Sequence, residues 1–330
     1  MDPPVAFEAY VMAVVDGRGV ADVFPTLGYL RGAEGDPPAP PPGPAPKPPS
    51  PSPPPKPAPA PAPPHPKGDH VLHTTLWRNV DSKDYAHYFT DLCKSACPKE
   101  TQRRVAHHLN LWESLSAADS KVADDAYVVV VNNDMTFRQP EMIKPLVEEM
   151  RKNSWYMVQL KETFSAGVVA TPVPGTGDPT LTVYAGGFDA SLDAYIINVG
   201  GLRKVYASVI KDGGIRSSML TEISLAEKSA GLSRMVLAGA SAVVYPEYYV
   251  QVKRRLSEAS SVWAVLGAWL AKWWPGAMYF LTTPLFSFMG LFDVSVVDVF
   301  ILAYVLVLFI LLPHSRLLWF LAGALLAAVV

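Results

Sequence analysis

Three consecutive polar residues, Asn132, Asn133 and Asp134, follow an apolar, largely β-branched run at 126–131. A strand without alternation is buried on both faces, as in the middle of a parallel sheet. In open α/β sheets the ligand crevice lies beyond the carboxyl ends of the strands, so the three side chains are expected to line one. Oxygen-bearing side chains there can hold a divalent cation, with Asp134 as the charged ligand and Mn²⁺ or Mg²⁺ as the ion, and such a cation neutralises a diphosphate leaving group. A polar strand-to-loop turn, which Asn and Asp favour, accounts for the same residues without chemistry. Asp189 and Asp193 flank a small-residue stretch and could serve as an acid/base pair, or simply sit in a loop. No P-loop, G-x-S-x-G or H-E-x-x-H pattern occurs.

These residues need elements to position them. Residues 101–115 have helical spacing, with Val105, His108, Leu109, Trp112 and Leu115 on one face. A helix is expected over 140–150, strands over 155–160, 181–184 and 194–198, a loop over 167–180, helices over 200–209 and 219–229, and a late strand at 242–245. The alternation of strand and helix argues for a largely parallel sheet flanked by helices, in a domain spanning 69–257.

Outside that domain the composition changes. Residues 1–35 form a short segment with some helical character, too short for a core of its own. Between Pro37 and Pro66, 19 of 30 residues are proline, which rules out helix and sheet, so 36–68 reads as an extended linker reaching roughly 90 Å. It is a passive spacer or a ligand for an aromatic groove. The net charge of -2, with no basic patch interleaved with aromatics, argues against nucleic acid as a partner. Cys93 and Cys97, four apart, are expected as reduced thiols on one helix face, weakly favouring a cytosolic setting. The N-terminal residues carry an acid and no early basic cluster, so membrane targeting is expected from the other end.

The last quarter, 258–330, is dominated by Leu, Val, Ala, Phe and Trp. Residues 294–312 hold one charge, Asp298, and at 1.5 Å per residue would extend about 28 Å, so they are expected to span a lipid bilayer. Residues 276–291 and 317–330 are candidates for further spans or for segments lying in the interface. The cluster Lys253-Arg254-Arg255 just ahead suggests that the domain faces the cytoplasm.

The order of motifs resembles family 25 glycosyltransferases, the group that includes lipooligosaccharide and collagen galactosyltransferases. His108 and Trp112 match that family's S-H-x-x-x-W helix. Residues 131–135 fall where E-D-D-V would stand. Ala194-Tyr195-Ile196-Ile197-Asn198, then Gly200-Gly201-Leu202, match its A-Y-L-I-S/N strand and Gly-rich helix start, and Val243-Val244-Tyr245-Pro246 its closing strand. The resemblance covers about residues 100–250. It implies a GT-A-like sheet, a nucleotide-sugar donor, a glycan or protein acceptor and a divalent cation. Asp134 would then be catalytic, with Asn132, Asn133 and His108 at the donor, and Asp189, from the acid/base pair noted above, is a second catalytic candidate. The sequence departs from the family where acids are expected, at Asn132, Asn133 and Ser218, and Arg78-Asn79-Val80-Asp81 matches the family's nucleotide-binding strand poorly. Two expectations follow: a membrane-anchored sugar transferase, or an inactive member acting as a structural or interaction protein at a membrane. Proline-alanine-lysine repeats beside such domains resemble proteins of large DNA viruses of algae and protists, which extends the second expectation to a virion component.

Overall fold

Residues 5–12, expected to have helical character, form a strand inside the main sheet. The computed structural model describes residues 5–25, 70–78, 85–161, 170–174, 181–186, 192–217, 219–238, 243–257, 261–289, 291–311 and 314–329. The proline-rich stretch 36–68, Asp189 and residues 79–81 lie outside the described residues. Val5–Met12 is β1, Val20–Val23 a single turn α1, and His70–Trp77 β2. There follow Asp91–Ala96 (α2), Lys99–Ser116 (α3), Tyr127–Asn132 (β3), Met135–Phe137 (β4) and Ile143–Asn153 (α4). Met157–Gln159 (β5), Ala170–Pro172 (β6), Thr182–Ala185 (β7) and Ala194–Asn198 (β8) come next. Val199–Lys211 (α5), Met219–Ala230 (α6), Arg234–Ala238 (β9), Val244–Pro246 (β10) and Tyr248–Ser257 (α7) complete this part of the chain.

The main sheet runs β2-β1-β3-β8-β5-β9-β7-β6. β1 pairs in parallel with β2 and β3, and β5 with β9, while the other four pairings are antiparallel. The sheet is therefore mixed, which corrects the expectation of a mostly parallel, GT-A-like one. Two of the four antiparallel pairings come from β8, which follows β7 and enters between β3 and β5 against both, and two from β7, which runs against β6 and β9. Because β8 runs opposite to β3, its N-terminal end delivers Asp193 to the edge where β3 ends, since the Asn132 amide donates to the Asp193 carbonyl. The short pair β4–β10 then turns the chain into α7 beside the same edge.

Two cores cover the two faces. Val129, Val131 and Ile196 face α1 and α4, together with Phe7, Leu146 and Met150. Val128, Val130, Tyr195 and Ile197 face α3, α5 and α6, together with Leu109, Trp112 and Leu202. The unalternated run of β3 thus fills both cores, which is why it is apolar at every position. Asn198 ends β8 and caps α5, its side chain accepting from the Gly201 amide at 2.9 Å. A Cβ at Gly201 would stand 2.7 Å from the Tyr156 ring, so only glycine lets α5 pack there.

Cys93 and Cys97 form a disulfide, correcting the expected pair of thiols. The helix does not carry both residues. α2 ends at Ala96, and Cys97 is extended at φ -77° and ψ 139°, the conformation favoured for a residue before proline. That turn brings its sulfur back to Cys93.

The C-terminal region consists of Ser261–Trp273 (α8), Pro275–Leu281 (α9), a hairpin of Pro284–Phe288 (β11) and Phe292–Ser295 (β12), Val296–Leu311 (α10) and Arg316–Val329 (α11). The expected spans 276–291, 294–312 and 317–330 are corrected. Among the described residues no helix is long and apolar enough to cross a membrane. Residues 276–291 are shared between a short helix and a strand. The run at 294–312 begins as β12 and becomes helical only at Val296, where Asp298 accepts from the Ser295 amide and hydroxyl at 2.7 and 2.6 Å. This capping arrangement leaves α10 with 16 residues, about 24 Å against a hydrocarbon layer of about 30 Å.

Candidate functional site: an ion-paired strand edge

Among the described residues, Asn132, Asn133, Asp134, His108 and Asp193, singled out from the sequence, meet at the edge where β3 ends. α3 brings Glu100, Arg104, His108 and Trp112 to that edge, each four residues from the next and so on one face. The Arg104 guanidinium bonds Asp134 through Nη2 and Asp193 through Nη1, the latter at 2.8 Å. Lys161 donates to the other Asp193 oxygen. Glu100 lies 3.7 Å from Arg104 and accepts from Arg254 and Arg255, the latter at 3.0 Å. Asp134 is wholly buried, while the Arg104, Asp193 and Glu100 side chains remain slightly exposed.

The protonation states follow from these contacts. Burial works against the Asp193 carboxylate, but Lys161 and Arg104 outweigh it and hold its pKa well below the usual range. Glu100 is likewise held down by Arg254, Arg255 and Arg104 in spite of its burial. Burial pushes Asp134 up, and Arg104 offsets this only in part. Each acid therefore depends on cations supplied by its own chain.

Beneath the ion pairs runs a chain of neutral hydrogen bonds. Asp193 can only accept, so the Asn132 amide nitrogen faces it at 3.2 Å and Asn132 Oδ1 faces His108 Nε2 at 3.1 Å. His108 must then carry its proton on Nε2 and accept at Nδ1 from the Tyr195 hydroxyl, 2.9 Å away. That hydroxyl accepts in turn from Trp112 Nε1 at 3.0 Å. Burial, with His107 alongside, lowers the His108 pKa to about 3. Asn133 is equally committed. Its Oδ1 accepts from the Val14 and Val15 amides at 3.0 and 2.9 Å, and its Nδ2 donates to the Val15 and Arg18 carbonyls at 2.6 and 2.9 Å.

Asn132, Asn133, Asp134 and His108 therefore stand together at the strand edge, but their polar atoms are turned on one another and on the loop after β1. A divalent cation does not fit here. Mg²⁺ or Mn²⁺ requires about six oxygen ligands, whereas Asp134 Oδ1 is the one carboxylate oxygen of the Asp134–Asp193 pair without a hydrogen-bond partner among the described residues. The described residues also contain no group of three or more His, Cys, Asp or Glu able to hold a metal. Arg104, Lys161 and Glu100 are not among the residues singled out from the sequence, because strand-end polar residues were followed and not the start of the helix ahead of them, although the four-residue spacing from Glu100 to Trp112 was there to be read.

The C-terminal region closes this edge. Arg255 also donates to the Tyr279 carbonyl at 2.9 Å, and its guanidinium lies 4.5 Å from the Tyr279 ring centre, with Lys161 5.8 Å from the same ring. Val252 and Leu256 of α7 pack with Ala271 of α8 and Met278 of α9. Two of the three cations in Lys253-Arg254-Arg255 are thus spent on Glu100, which removes the ground for reading that cluster as a marker of membrane orientation.

Fold and site together define an α/β domain whose strand-edge crevice is occupied by its own ion pairs and overlaid by an apolar C-terminal region. The relatives give this class its setting. Envelope protein H3 of vaccinia virus (strain Copenhagen) is 32% identical over 252 residues, covering 76% of this chain and 77% of that protein. Envelope protein H3 of variola virus (isolate Human/India/Ind3/1967) is 30% identical over 265 residues, 80% and 82% of the two chains. Immunodominant envelope protein p35 of fowlpox virus (strain NVSL) is 27% identical over 255 residues, 73% and 74%. The family described as Poxvirus P35 protein matches residues 1–330, and the chain belongs to that family. This membership replaces the family 25 glycosyltransferase assignment drawn from motif order, whose individual motifs are accounted for by packing and internal hydrogen bonds.

Proposed function

We propose that this protein is a structural component of the virion envelope, its α/β domain held on the lipid surface by the C-terminal region. The observation that carries the reading is the concentration of exposed apolar side chains there. Trp269, Trp273 and Trp274 lie in and just after α8, Phe286, Phe288 and Leu291 on the hairpin, Leu302, Leu306 and Ile310 on α10, and Phe320 on α11, each at least 45% exposed. So much contiguous apolar sequence facing outward marks an interaction surface. A bilayer suits it because tryptophans sit beside Lys272, the pairing found at headgroup level. The names of the relatives support the envelope as the place. With the described helices too short to cross, the region lies in the interface and buries one side.

Flotation of the full chain with phosphatidylcholine–phosphatidylserine vesicles tests this. Most of the protein is expected to rise with the lipid. Each buried leucine contributes roughly 1.5 kcal/mol or more, so Leu302→Asp with Leu306→Asp should weaken partitioning by about 100-fold. Protein that stays at the bottom of the gradient while the vesicles rise would refute the reading.

A further inference from the structure

The disulfide lies on the wall of a cavity of about 160 Å³, formed where α2 and α3 meet the β11–β12 hairpin. Phe89, Thr101 and Gln102 line one side with the two cysteines, and Pro284 and Leu285 of β11 line the other. Cys93 is 1% exposed and Cys97 6%, so the cavity is the approach to the sulfurs. The corner between the helices is also the seat of the hairpin. The Lys99 amide donates to both Asp293 oxygens at 3.1 and 2.9 Å, and Lys99 Nζ donates to the Leu291 carbonyl at 3.2 Å. Lys99 is two residues past Cys97. Gln102 Nε2 donates to the Cys93, Lys94 and Cys97 carbonyls at 3.0, 3.3 and 2.8 Å, gathering the end of α2 into the same corner.

We propose that Cys93–Cys97 is a thiol–disulfide exchange site, served by a dithiol entering this cavity, and that its redox state sets how firmly the hairpin is seated. A thiolate of the dithiol attacks Cys97 Sγ, the more exposed sulfur. The Cys93–Cys97 bond breaks, and Cys93 leaves as a thiolate and takes up a proton. The second thiol of the reagent then displaces Cys97, which is protonated in turn. Two electrons and two protons pass to the protein, and the dithiol becomes a disulfide. Afterwards the turn carrying Lys99 is held by the Gln102 hydrogen bonds without the covalent link, and the grip of Lys99 on Asp293 and Leu291 loosens.

The full-length protein is treated with millimolar dithiothreitol under native conditions, then alkylated and analysed by mass spectrometry, with hydrogen exchange followed in parallel. Both cysteines are expected to be alkylated after reduction and neither before. Hairpin amides should exchange at least fivefold faster in the reduced form, while those of β3 and β8 stay unchanged. Leu285→Trp, at a half-exposed position on the cavity wall, should slow reduction at least tenfold without unfolding the protein. Cys93→Ser with Cys97→Ser should show the fast hairpin exchange with or without dithiothreitol. Alkylation before reduction, reduction only after denaturation, an unaltered rate in Leu285→Trp, or hairpin exchange indifferent to redox state would each overturn the proposal. None of these readouts involves lipid, so their failure is separable from failure of vesicle binding.

Discussion

Replacing Arg104 by alanine is expected to destabilise the protein by about 3 kcal/mol, the cost of breaking a buried ion pair and leaving its partner charged. Arg104 contacts three acids, Asp134, Asp193 and Glu100. Without it no cation among the described residues is hydrogen-bonded to Asp134, since Lys161 bonds Asp193, and Arg254 and Arg255 bond Glu100. In a domain of this size the loss corresponds to a Tm lower by roughly 10 °C. Asp134→Asn is expected to be much milder. It removes a carboxylate whose ionised form burial already disfavours, and leaves Arg104 bound to Asp193. Thermal unfolding of the two variants checks the ranking. If Asp134→Asn were the more damaging, the network would not depend on Arg104 in this way.

The second large effect is loss of stability in mild acid. His107 and His108 are both buried in α3. Burial, reinforced by Arg103 and Arg104, lowers the His107 pKa to about 4, and Arg254 acts in the same sense. His108, facing His107, Asp193, Asn132 and Arg104, is lowered to about 3. The folded state holds both rings neutral, whereas the unfolded chain protonates them below about pH 6.5. Their contribution is therefore complete above pH 6.5 and is lost as the pH falls toward their folded values. Each extra proton taken up on unfolding costs about 1.4 kcal/mol per pH unit, so by pH 5 the two together remove roughly 4 kcal/mol. Asp193 and Glu100, both held low, extend the loss below about pH 4, while Asp134 acts in the opposite sense. Urea unfolding at pH 7.5 and 5.0 measures this. His108→Gln should remove about half of the pH dependence, and equal stabilities at the two pH values would contradict the assignment of neutral, buried rings.

Much of the architecture between α3 and β10 can be read from the sequence. Ala194–Asn198 is a strand with the expected bounds, because a doubly buried strand needs an unbroken apolar run. Val5–Met12 was not legible as a strand. Glu8 breaks its apolar pattern, its partners lie at His70–Trp77 and in β3, and nothing local reports a pairing across some sixty residues. The apolar tail misled for a different reason. Hydropathy adds up residues whatever their backbone, and cannot tell that one run is divided between β12 and α10. The signal for that division, Ser295 three residues before Asp298, was present and is a capping pattern. Asn132, Asn133, Asp134 and His108 stand at one strand edge, but acids and amides alone do not reveal that an arginine four residues ahead of His108 lies among them.

The pairing of β1 with β2 changes what the proline-rich stretch is. The described strands that precede and follow it belong to one sheet, with β1 bonded to β2 along eight residue pairs and to β3 along five. It joins two neighbours of one sheet instead of stringing one body to another. A protease that cuts within 36–68 would therefore release nothing. The N-terminal fragment would stay behind as an inner strand of the sheet, and the nicked protein would migrate as one particle until denatured, as two chains reconstituting one fold.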